Sequence, residues 1–450
     1  MKIYQQEPVQ ARLMPVGGEY LQTRYQEKED GLYEIRVGMG GDWSALRCKE
    51  VYGKAMKTCL ELELKSCVVD LTPAVELGRY GICAAMEGVY GGAYQKKFAL
   101  TKQWEPEIDL YAGGSGLAES ALQEACILAR AVIETRNRVN CPSNLMRPAA
   151  FAESLVKMAE GLPVDVRVYS HTELAELGLE ALLSVGNSSA HPPMMVVLRY
   201  DGAKQSAERL GLVGKGITVD SGGYCLKPAS SMEGIKGDMA GGAAAAAALC
   251  ALAENGARVN VTAVIPICEN RISDASLLPG DVIRSLSGMT IEVLNTDAEG
   301  RLILADGLAW AAQKEKCTCL VDIATLTGAI WAMLGHVATG VMANHEGLYE
   351  RLKVAAESSG EKFWRMPAFA EYEKLIASDY ADVRNTSKDG CGAIAAGLFL
   401  KRFAQGLPWM HLDIAGTADN KGIVWEHQVP GATGTPVSTL YHLARLMEEA

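Results

Sequence analysis

From residue 210 onward, short apolar runs alternate with longer segments in which apolar residues recur at helical spacing. Short runs bounded by turn residues are typical of buried strands, and the longer segments are typical of helices. The predicted elements are strands over residues 212–219, 259–267, 290–294 and 320–324 and helices over residues 238–254 and 298–313. Strands that alternate with helices form βαβ units. The pattern therefore predicts an α/β fold whose central sheet is mixed, mainly parallel and flanked by helices.

The N-terminal part of the chain is organised differently. Strand-like runs, such as residues 67–71, mix there with helical stretches, and a glycine-rich turn follows at residues 112–116. Apolar residues at spacings of three and four then predict a helix; they are Leu117, Ala121, Ala125, Leu128 and Val132. We interpret this helix as a connector (residues 115–138) between a small N-terminal α/β domain (1–114) and a larger C-terminal domain (139–450). The alternative is an ordinary helix inside a single domain.

Composition and charge narrow the classes of function. A length of 450 residues suggests roughly two or three domains. The net charge of −11 argues against a dedicated nucleic-acid-binding protein, which normally carries a basic face. The scattered cysteines fit reduced thiols, and the N-terminus lacks the pattern of a signal peptide. The longest apolar run, residues 243–252, is too short to span a membrane. We therefore expect a cytoplasmic protein that has no membrane or nucleic-acid partner.

Acidic side chains collect where the predicted strands end. Asp220 follows the first strand, Asp297 and Glu299 follow the third, and Asp238 opens the alanine-rich helix. Ligands of open α/β sheets bind beyond the carboxyl ends of the strands, so these side chains are candidates for one site. Carboxylates that lie close together raise one another's pKa unless cations neutralise them. Two divalent metals about 3.5–4 Å apart, sharing bridging carboxylates, would resolve this repulsion.

Each of these charged residues also has an ordinary structural explanation. Asp220 can belong to a turn, and Asp297 and Glu299 can simply favour the N-terminus of a helix. Lys227 can be a surface lysine. Lys215 is harder to explain in this way, because a lysine inside an apolar strand is rare unless it is paired or neutral.

The spacing of Lys215 and Asp220 presents a geometric difficulty. On a regular strand, side chains five positions apart point to opposite faces of the sheet. A shared site therefore requires a bulge near Gly216 or a strand that ends before Asp220.

Three other functions deserve comparison. The segment Asp220-Ser221-Gly222-Gly223 resembles a serine protease nucleophile, but the chain has no G-x-S-x-G elbow. Cys225 could be a nucleophile or zinc ligand, but the histidines lack metal-ligand spacing and free cysteines are commonly packed in the core. A DNA-binding regulator is the non-catalytic alternative, and the acidic net charge opposes it.

Several motifs together resemble the leucyl (cytosol) aminopeptidase family over residues 137–445. The most specific match is the run VLNTDAEGRLILAD at residues 293–306. The other matching segments are RVNCPSN at 138–144, GKGITVDSGG at 214–223, KP at 227–228, KGDM at 236–239, ATLTGA at 324–329, GAIAA at 392–396 and HLDIAGTA at 411–418. The N-terminal part matches more weakly, chiefly through MEGVYGGAY at residues 86–94. The resemblance implies hydrolysis of the first peptide bond from a free N-terminus, in short peptides and amino-acid amides, and a homohexamer.

The resemblance also implies the metal ligands. One metal would be held by Asp220, Asp297 and Glu299. The second would be held by Lys215, Asp220, Asp238 and Glu299, so that Asp220 and Glu299 bridge the two metals. Lys215 must be neutral to act as a ligand, which neighbouring dications can enforce. We favour Zn²⁺ or Mn²⁺, and the ligand set also permits Mg²⁺ or Co²⁺.

Two further residues take catalytic roles by the same resemblance. The metals would activate a bridging water as the nucleophile. Lys227 would polarise the scissile carbonyl and stabilise the oxyanion of the tetrahedral intermediate. Arg301 would hold a bicarbonate that acts as the general base, because its planar guanidinium suits a bidentate anion.

The pocket for the substrate side chain departs from the family pattern at two positions. The residues that line it by resemblance are Ile235, Asn295, Thr325, Leu326, Gly328, Ala415 and Ala418. The family often has methionine at the position of Ile235, and some members have it at the position of Ala418. Isoleucine stiffens one wall and alanine enlarges the cavity, so we expect an apolar, leucine-like preference of broad range. The sequence does not rank leucine, methionine and phenylalanine.

Overall fold

The computed structural model of the chain describes residues 11–27, 33–96, 106–111, 119–420, 422 and 424–448. The strands in these residues are β1 (Ala11–Val16), β2 (Thr23–Glu27), β3 (Tyr33–Gly38), β4 (Ser66–Asp70), β5 (Glu107–Tyr111), β6 (Val164–Tyr169), β7 (Met194–Asp201), β8 (Leu210–Gly214), β9 (Gly216–Asp220), β10 (Asn260–Asn270), β11 (Val282–Arg284), β12 (Thr290–Glu292), β13 (Cys319–Ala324), β14 (Thr339–Ala343), β15 (Phe363–Arg365), β16 (Val383–Arg384), β17 (Trp409–Asp413), β18 (Asp419–Asn420) and β19 (Gly431–Ala432).

The helices connect these strands and cover them. They are α1 (Ala45–Glu61), α2 (Thr72–Val75), α3 (Gly78–Ala93), α4 (Glu119–Asn140), α5 (Pro148–Ala159), α6 (His171–Leu177), α7 (Glu180–Gly186), α8 (Ala229–Met232), α9 (Ala240–Glu254), α10 (Gly300–Gln313), α11 (Gly328–Leu334), α12 (Glu346–Ser359), α13 (Gly392–Phe403) and α14 (Val437–Arg445). A 3₁₀ helix spans Ala370–Ile376.

The large sheet has the strand order β15-β14-β17-β13-β8-β10-β7-β6, and β9 continues the line of β8 along β10. The pairs β14–β15, β13–β17, β8–β13, β8–β10 and β9–β10 are parallel, whereas β14–β17, β7–β10 and β6–β7 are antiparallel. The predicted α/β fold with a mixed, mainly parallel central sheet is confirmed.

Helices cover both faces of this sheet. Because successive side chains of a strand point to opposite faces, Leu212 of β8 packs in the core that contains α9, and Val213 packs in the core that contains α10. The alanines of α9 are buried on all sides, which lets the helix lie close to the sheet. A Cβ atom at position 214 would lie 2.5 Å from the Cα atom of Gly242, so this approach requires glycine. The close packing brings the start of α9 to the end of β8.

The element boundaries differ from the predictions at points that matter for the site. The predicted strand over residues 212–219 is two strands, β8 and β9, which both pair with β10. The two predicted helices begin two residues later than expected, at Ala240 and Gly300. Asp238 therefore precedes α9 rather than opening it, and Glu299 is the N-cap residue of α10. Both carboxylates lie in the turns beyond the strand ends.

The N-terminal strands form a separate sheet with the order β2-β3-β1-β4-β5. Helices α1 and α3 pack against each other, and α4 contacts α3 as well as α9 and α14. Helix α4 thus touches both parts of the chain, as a connector would. The glycine-rich turn at residues 112–116 lies outside the described residues, and the domain boundaries at 114 and 138 stay a prediction.

Two smaller expectations concern the apolar run and the thiols. The run at residues 243–252 lies inside the buried helix α9. No helix in the described part of the chain has the length and apolar character needed to cross a membrane. The twelve cysteines carry free thiols in the structure.

Candidate metal and active site

A register shift places Lys215 and Asp220 on the same side of the sheet. Strand β9 runs parallel to β10, and the register between them shifts at Thr218, which has no residue opposite it. An extra residue of this kind is a β-bulge, and it reverses the alternation of side chains beyond it. The required bulge therefore exists, but it lies at Thr218 rather than near Gly216.

The ammonium group of Lys215 lies between two carboxylates. Its Nζ atom is 2.8 Å from Oδ2 of Asp238 and 2.8 Å from Oε1 of Glu299. It also donates a hydrogen bond to the carbonyl oxygen of Thr325 at 3.0 Å. A Cβ atom at position 300 would lie 2.6 Å from this Nζ, so Gly300 leaves room for the lysine at the start of α10. Lys215 is thus a buried and fully paired lysine, not a surface residue.

Lys227 occupies an equivalent position between the other two carboxylates. Its Nζ atom is 2.6 Å from Oδ2 of Asp220 and 2.5 Å from Oδ1 of Asp297. Its side chain is 20% exposed, compared with 3% for Lys215. Lys227 is therefore the more accessible of the two lysines.

Burial changes the protonation of the carboxylates. It raises the pKa of Glu299 to about 8, and the negative charge of Asp220 adds to this effect. Burial likewise raises the pKa of Asp238 to about 6 and raises the pKa of Asp297 above its ordinary value. Burial alone would lower the pKa of Lys215, but the surrounding carboxylates raise it above its usual range. The carboxylates therefore require nearby positive charge to be ionised together.

The donor set fits divalent metals. One carboxylate oxygen from each of Asp220, Asp297 and Glu299 lies within 4.8 Å of the others, a spacing that one ion can span. Within the described residues, the buried Oε2 atom of Glu299 has no hydrogen-bond partner. Buried carboxylate oxygens without a partner are costly, and coordination to a cation would satisfy this one. The three residues are the set that the sequence assigns to the first metal, and Lys215 with Asp238 completes the second set.

Arg301 lies at the first turn of α10, close to this cluster. Its Nη1 atom donates to the carbonyl oxygen of Asn385 at 2.6 Å. Burial lowers the pKa of Arg301 to about 10, and its Nε atom has no hydrogen-bond partner in the described part of the chain. The guanidinium group therefore retains a buried donor for an anion, as the proposed bicarbonate would need.

Ser221 and Cys225, the alternative nucleophiles, serve as turn residues. The hydroxyl of Ser221 donates to the carbonyl oxygen of Asn270 at 2.9 Å and accepts from the amide of Gly223 at 3.3 Å. The amide of Cys225 donates to the Oγ1 atom of Thr296 at 2.8 Å. Both residues shape the loop between Asp220 and Lys227, and neither contacts a histidine among the described interactions.

The predicted pocket residues lie on loops next to the cluster. Thr325 donates through Oγ1 to Oδ1 of Asp238 at 2.7 Å, and the Oδ1 atom of Asn295 accepts from the amide of Asp297 at 2.8 Å. The carbonyl oxygen of Ile235 accepts from the amide of Asp220 at 3.1 Å. These three predicted pocket residues are thus hydrogen-bonded directly to carboxylate residues of the cluster.

The remaining pocket residues follow strands β13 and β17. Leu326 comes directly after Thr325, and Gly328 begins helix α11. Ala415 lies in the turn after β17, and the amide of the buried Ala418 donates to the carbonyl oxygen of Ile414 at 2.9 Å. A Cβ atom at position 328 would meet no atom within 4 Å, so the space beside Gly328 is open.

Two asparagines that the sequence interpretation missed hold the acidic loop in place. Asn270, at the end of β10, donates through Nδ2 to Oδ1 of Asp220 at 2.9 Å and to the carbonyl oxygen of Thr296 at 3.0 Å. Asn385 is fully buried, and its amide group bonds to the main chain of the loop that carries Asp297. Asn270 could have been predicted from the sequence as a site residue, because it is a polar residue at the carboxyl end of a buried strand, as Asp220 is. Asn385 follows the two-residue strand β16, which left no pattern in the sequence.

The fold and site together define a metal-dependent hydrolase of the α/β class. Residues 133–441 match the family model for the cytosol aminopeptidase family, catalytic domain. A probable cytosol aminopeptidase from Clostridium perfringens is 40% identical over 424 residues, which cover 91% of this chain and 85% of the relative. A probable cytosol aminopeptidase from Solibacter usitatus is 39% identical over 440 residues, which cover 95% of this chain and 90% of the relative.

Solved structures agree with this match. The bottromycin maturation enzyme BotP superposes with a TM-score of 0.90 at 33% identity and covers 98% of this chain and 100% of its own. The same enzyme in complex with Mn gives a TM-score of 0.90 at 32% identity, with 97% and 99% covered. The chain belongs to the cytosol aminopeptidase family. It is therefore an aminopeptidase, and the family depends on metal.

Proposed function

We propose that this protein removes the N-terminal residue, apolar and leucine-like, from peptides and amino-acid amides, using two divalent metals in each subunit. The observation that carries the proposal is the arrangement of four carboxylates around two lysines at the carboxyl ends of β9 and β12. Lys215 joins Asp238 and Glu299, and Lys227 joins Asp220 and Asp297. This arrangement provides hard oxygen ligands with one amine nitrogen.

Each residue of the cluster has a separate task in this proposal. Asp220, Asp297 and Glu299 would hold one metal. Lys215 and Asp238 would complete the site of the second, with Asp220 and Glu299 bridging. The bound metals would supply Lewis acidity and lower the pKa of a water molecule, which makes a nucleophile available near neutral pH.

Lys227 would act on the scissile carbonyl of the substrate, and Arg301 would hold the general base that takes the proton of the attacking water. Nearby Asp220 and Glu299 keep the pKa of Lys227 above its ordinary value despite burial, so the lysine stays charged. A charged donor aimed at the scissile carbonyl stabilises the oxyanion that develops there. The Nε donor of Arg301, which has no partner among the residues that the structure describes, supports the assignment of a bicarbonate general base beside it.

The ligands restrict the metals to a few divalent ions without selecting one of them. Carboxylates with one amine suit Zn²⁺ and Mn²⁺, and also Mg²⁺ or Co²⁺. The similar enzyme BotP has been solved in complex with Mn, which favours Mn²⁺ as the first metal to test here.

Assembly and location belong to the same proposal. Exposed apolar side chains are found on and beyond α11, including Trp331 at 51%, Met333 at 63%, Trp364 at 65% and Phe369 at 63% exposure. Exposed apolar side chains can take part in contacts between subunits, and the number of six subunits rests on the family resemblance. We also propose a cytoplasmic location and the domain division at residues 114 and 138.

The test is hydrolysis of leucinamide and of a leucine-led peptide by the purified full-length protein. Release of one residue at a time from free N-termini, with none from N-acetylated copies, is the expected result. A chelator should remove the activity and Mn²⁺ or Zn²⁺ should restore it. The variant Glu361→Gln, which changes a half-buried carboxylate outside the cluster that accepts from the amide of Thr439, should keep the activity. Activity that survives complete metal removal, or equal cleavage of acetylated peptides, would contradict the proposal.

A further inference from the structure

Asp413, the last residue of β17, is a buried carboxylate that takes no part in the metal cluster. Its side chain is 4% exposed. No lysine, arginine or histidine in the described part of the chain lies within 4.0 Å of it. A buried charge must be compensated in some way, so its hydrogen-bond partners indicate its purpose.

Those partners are the main chain of two loops. Oδ1 of Asp413 accepts from the amides of Leu326 at 3.1 Å and Thr327 at 3.4 Å, in the loop after β13. It also accepts from the amide of Ala415 at 3.2 Å. This bond forms an Asx-turn, in which the side chain of Asp413 stabilises the turn that follows it. Oδ2 accepts from the hydroxyl of Thr327 at 2.7 Å. One carboxylate therefore fixes both loops against each other.

The loop after β13 is the entry to helix α11. Thr327 is its N-cap residue, and its Oγ1 atom accepts from the amide of Ile330 at 3.1 Å while donating to Asp413. The position of the first residue of α11, Gly328, thus depends on Asp413 through Thr327. The turn after β17 continues from Ala415 to Ala418 through main-chain hydrogen bonds to Ile414.

The two loops joined by Asp413 carry five of the proposed pocket residues: Thr325, Leu326, Gly328, Ala415 and Ala418. Thr325 also donates a hydrogen bond to Asp238 of the metal cluster. The loop at residues 325–328 is therefore held by Asp238 on one side and by Asp413 on the other. In the proposed aminopeptidase, the distance between these two loops would set the width of the side-chain pocket.

We infer that Asp413 is a specificity-determining positioning residue, which sets the width of the substrate side-chain pocket by holding the loop at residues 325–328 to the turn at residues 415–418. This inference rests on the proposed aminopeptidase function. Asp413 touches no reacting atom and acts through the loops that it joins. Loss of its carboxylate should alter the choice among side chains more than the rate of bond cleavage.

The experiment compares kcat and KM for the amides of alanine, leucine and phenylalanine in the metal-loaded enzyme. In Asp413→Ala, the preference for leucinamide over alaninamide should fall roughly tenfold, mainly through KM, because the pocket loses its fixed width. Metal content should remain that of the unchanged protein. Asp413→Asn keeps one acceptor oxygen of similar size, so it should recover most of the preference.

Asp322→Asn is the matched control. Asp322 is a buried carboxylate on the neighbouring strand β13, but it accepts from the side chains of His411 and Trp409 rather than from the pocket loops. This variant should lose stability without a change in preference among the three amides.

A second variant keeps the inference testable if Asp413→Ala does not fold. Thr327→Val replaces with a methyl group the hydroxyl that donates to Asp413 and also caps α11. Because the amide bonds to Asp413 remain, it should shift the preference in the same direction by a smaller factor. An equal loss of kcat/KM for all three amides in the Asp413 variants, or an equal shift in Asp322→Asn, would overturn the inference. If the unchanged enzyme hydrolyses none of the amides, the proposed function fails instead.

Discussion

The replacement Asn385→Ala tests whether the acidic loop depends on support from outside the cluster. Asn385 is fully buried, and its Oδ1 atom accepts from the amide of Leu294 at 2.9 Å. Its Nδ2 atom donates to the carbonyl oxygen of Asn295 at 2.7 Å. Two longer bonds, to the amide of Asn295 at 3.3 Å and to the carbonyl oxygen of Ala298 at 3.4 Å, complete the set. Alanine removes all four while keeping the main-chain contact to Arg301.

The two short bonds set the expected loss of stability. A buried main-chain group left without its partner costs about 1–3 kcal/mol, and water entering the vacated space offsets part of that cost. We therefore expect the free energy of unfolding to fall by about 2–4 kcal/mol. Residues that orient metal ligands change metal affinity by roughly 10–100-fold when they are removed. Affinity for Mn²⁺ should weaken within that range, because the loop carrying Asp297 and Glu299 loses its support.

Calorimetric titration of the metal-free protein with Mn²⁺ measures the affinity, and denaturant unfolding measures the stability. Asn344→Ala is the control, because Asn344 also bridges two main-chain segments, with bonds to Leu407 at 2.9 Å and Trp409 at 2.7 Å, beside the start of β17 and away from the cluster. Asn344 is exposed, so its loss should cost less stability than that of the buried Asn385. The control should lower stability and leave the affinity for Mn²⁺ unchanged. Unchanged metal affinity in Asn385→Ala, or equal weakening in Asn344→Ala, would refute the reasoning.

The remaining predictions concern the cluster and the buried histidine. Glu299→Ala should abolish hydrolysis and lower the bound metal measured by elemental analysis, because Glu299 is assigned to both metals; normal turnover would exclude that assignment. Lys227→Ala should lower kcat by roughly 10²–10³-fold while metal affinity changes little, since it removes a donor to the oxyanion; the reverse pattern would exclude this role. Burial lowers the pKa of His442 to about 3, so the folded protein binds fewer protons than the unfolded chain, and stability falls as pH falls below about 6.5. Between pH 7 and 5 this contribution is about 2 kcal/mol, and His442→Phe should remove it from the pH dependence of unfolding; an identical pH dependence would contradict the assignment.

The sequence predicted the centre of the large sheet, strands β8, β9, β10 and β13, because these strands are buried on both faces. Such strands are continuous apolar runs, and the helices between them have a distinct period. The sequence did not predict β6, β7, β14, β15 or β17, and the strand predicted over residues 290–294 is β12, which belongs to a separate small sheet with the order β11-β12-β16. The run at residues 212–219 shows the limit of this reasoning. Both its halves are apolar, so the pattern contains no sign of the bulge at Thr218, which depends on pairing with a distant strand.

The acidic cluster could be predicted in part, because Asp220 ends a strand of the large sheet and Asp297 and Glu299 follow β12, a strand of the small sheet. Asp238 lies in the turn before α9, and the sequence pointed to it through its place at the start of that helix. The supporting residues could not be predicted in that way. Asn385 and Asp413 act through main-chain groups of loops that are far away in sequence, and hydrogen bonds to main-chain groups place no demand on the identity of the partner residue. Asp413 lies within a segment that resembles the family, residues 411–418. Its position in the sequence relative to the four carboxylates of the cluster gave no indication of its structural role.

The bulge at Thr218 has a consequence for protein design. A designer who transplants Lys215 and Asp220 onto an idealised, regular strand at their native separation would send one of the two side chains to the wrong face. The graft succeeds only if the bulge is transferred with them or if one intervening residue is deleted, so that the separation becomes an even number of positions. Lys215, β9 and the part of β10 that pairs with it must therefore be moved together, and the two side chains copied without that irregularity would not reproduce their native arrangement.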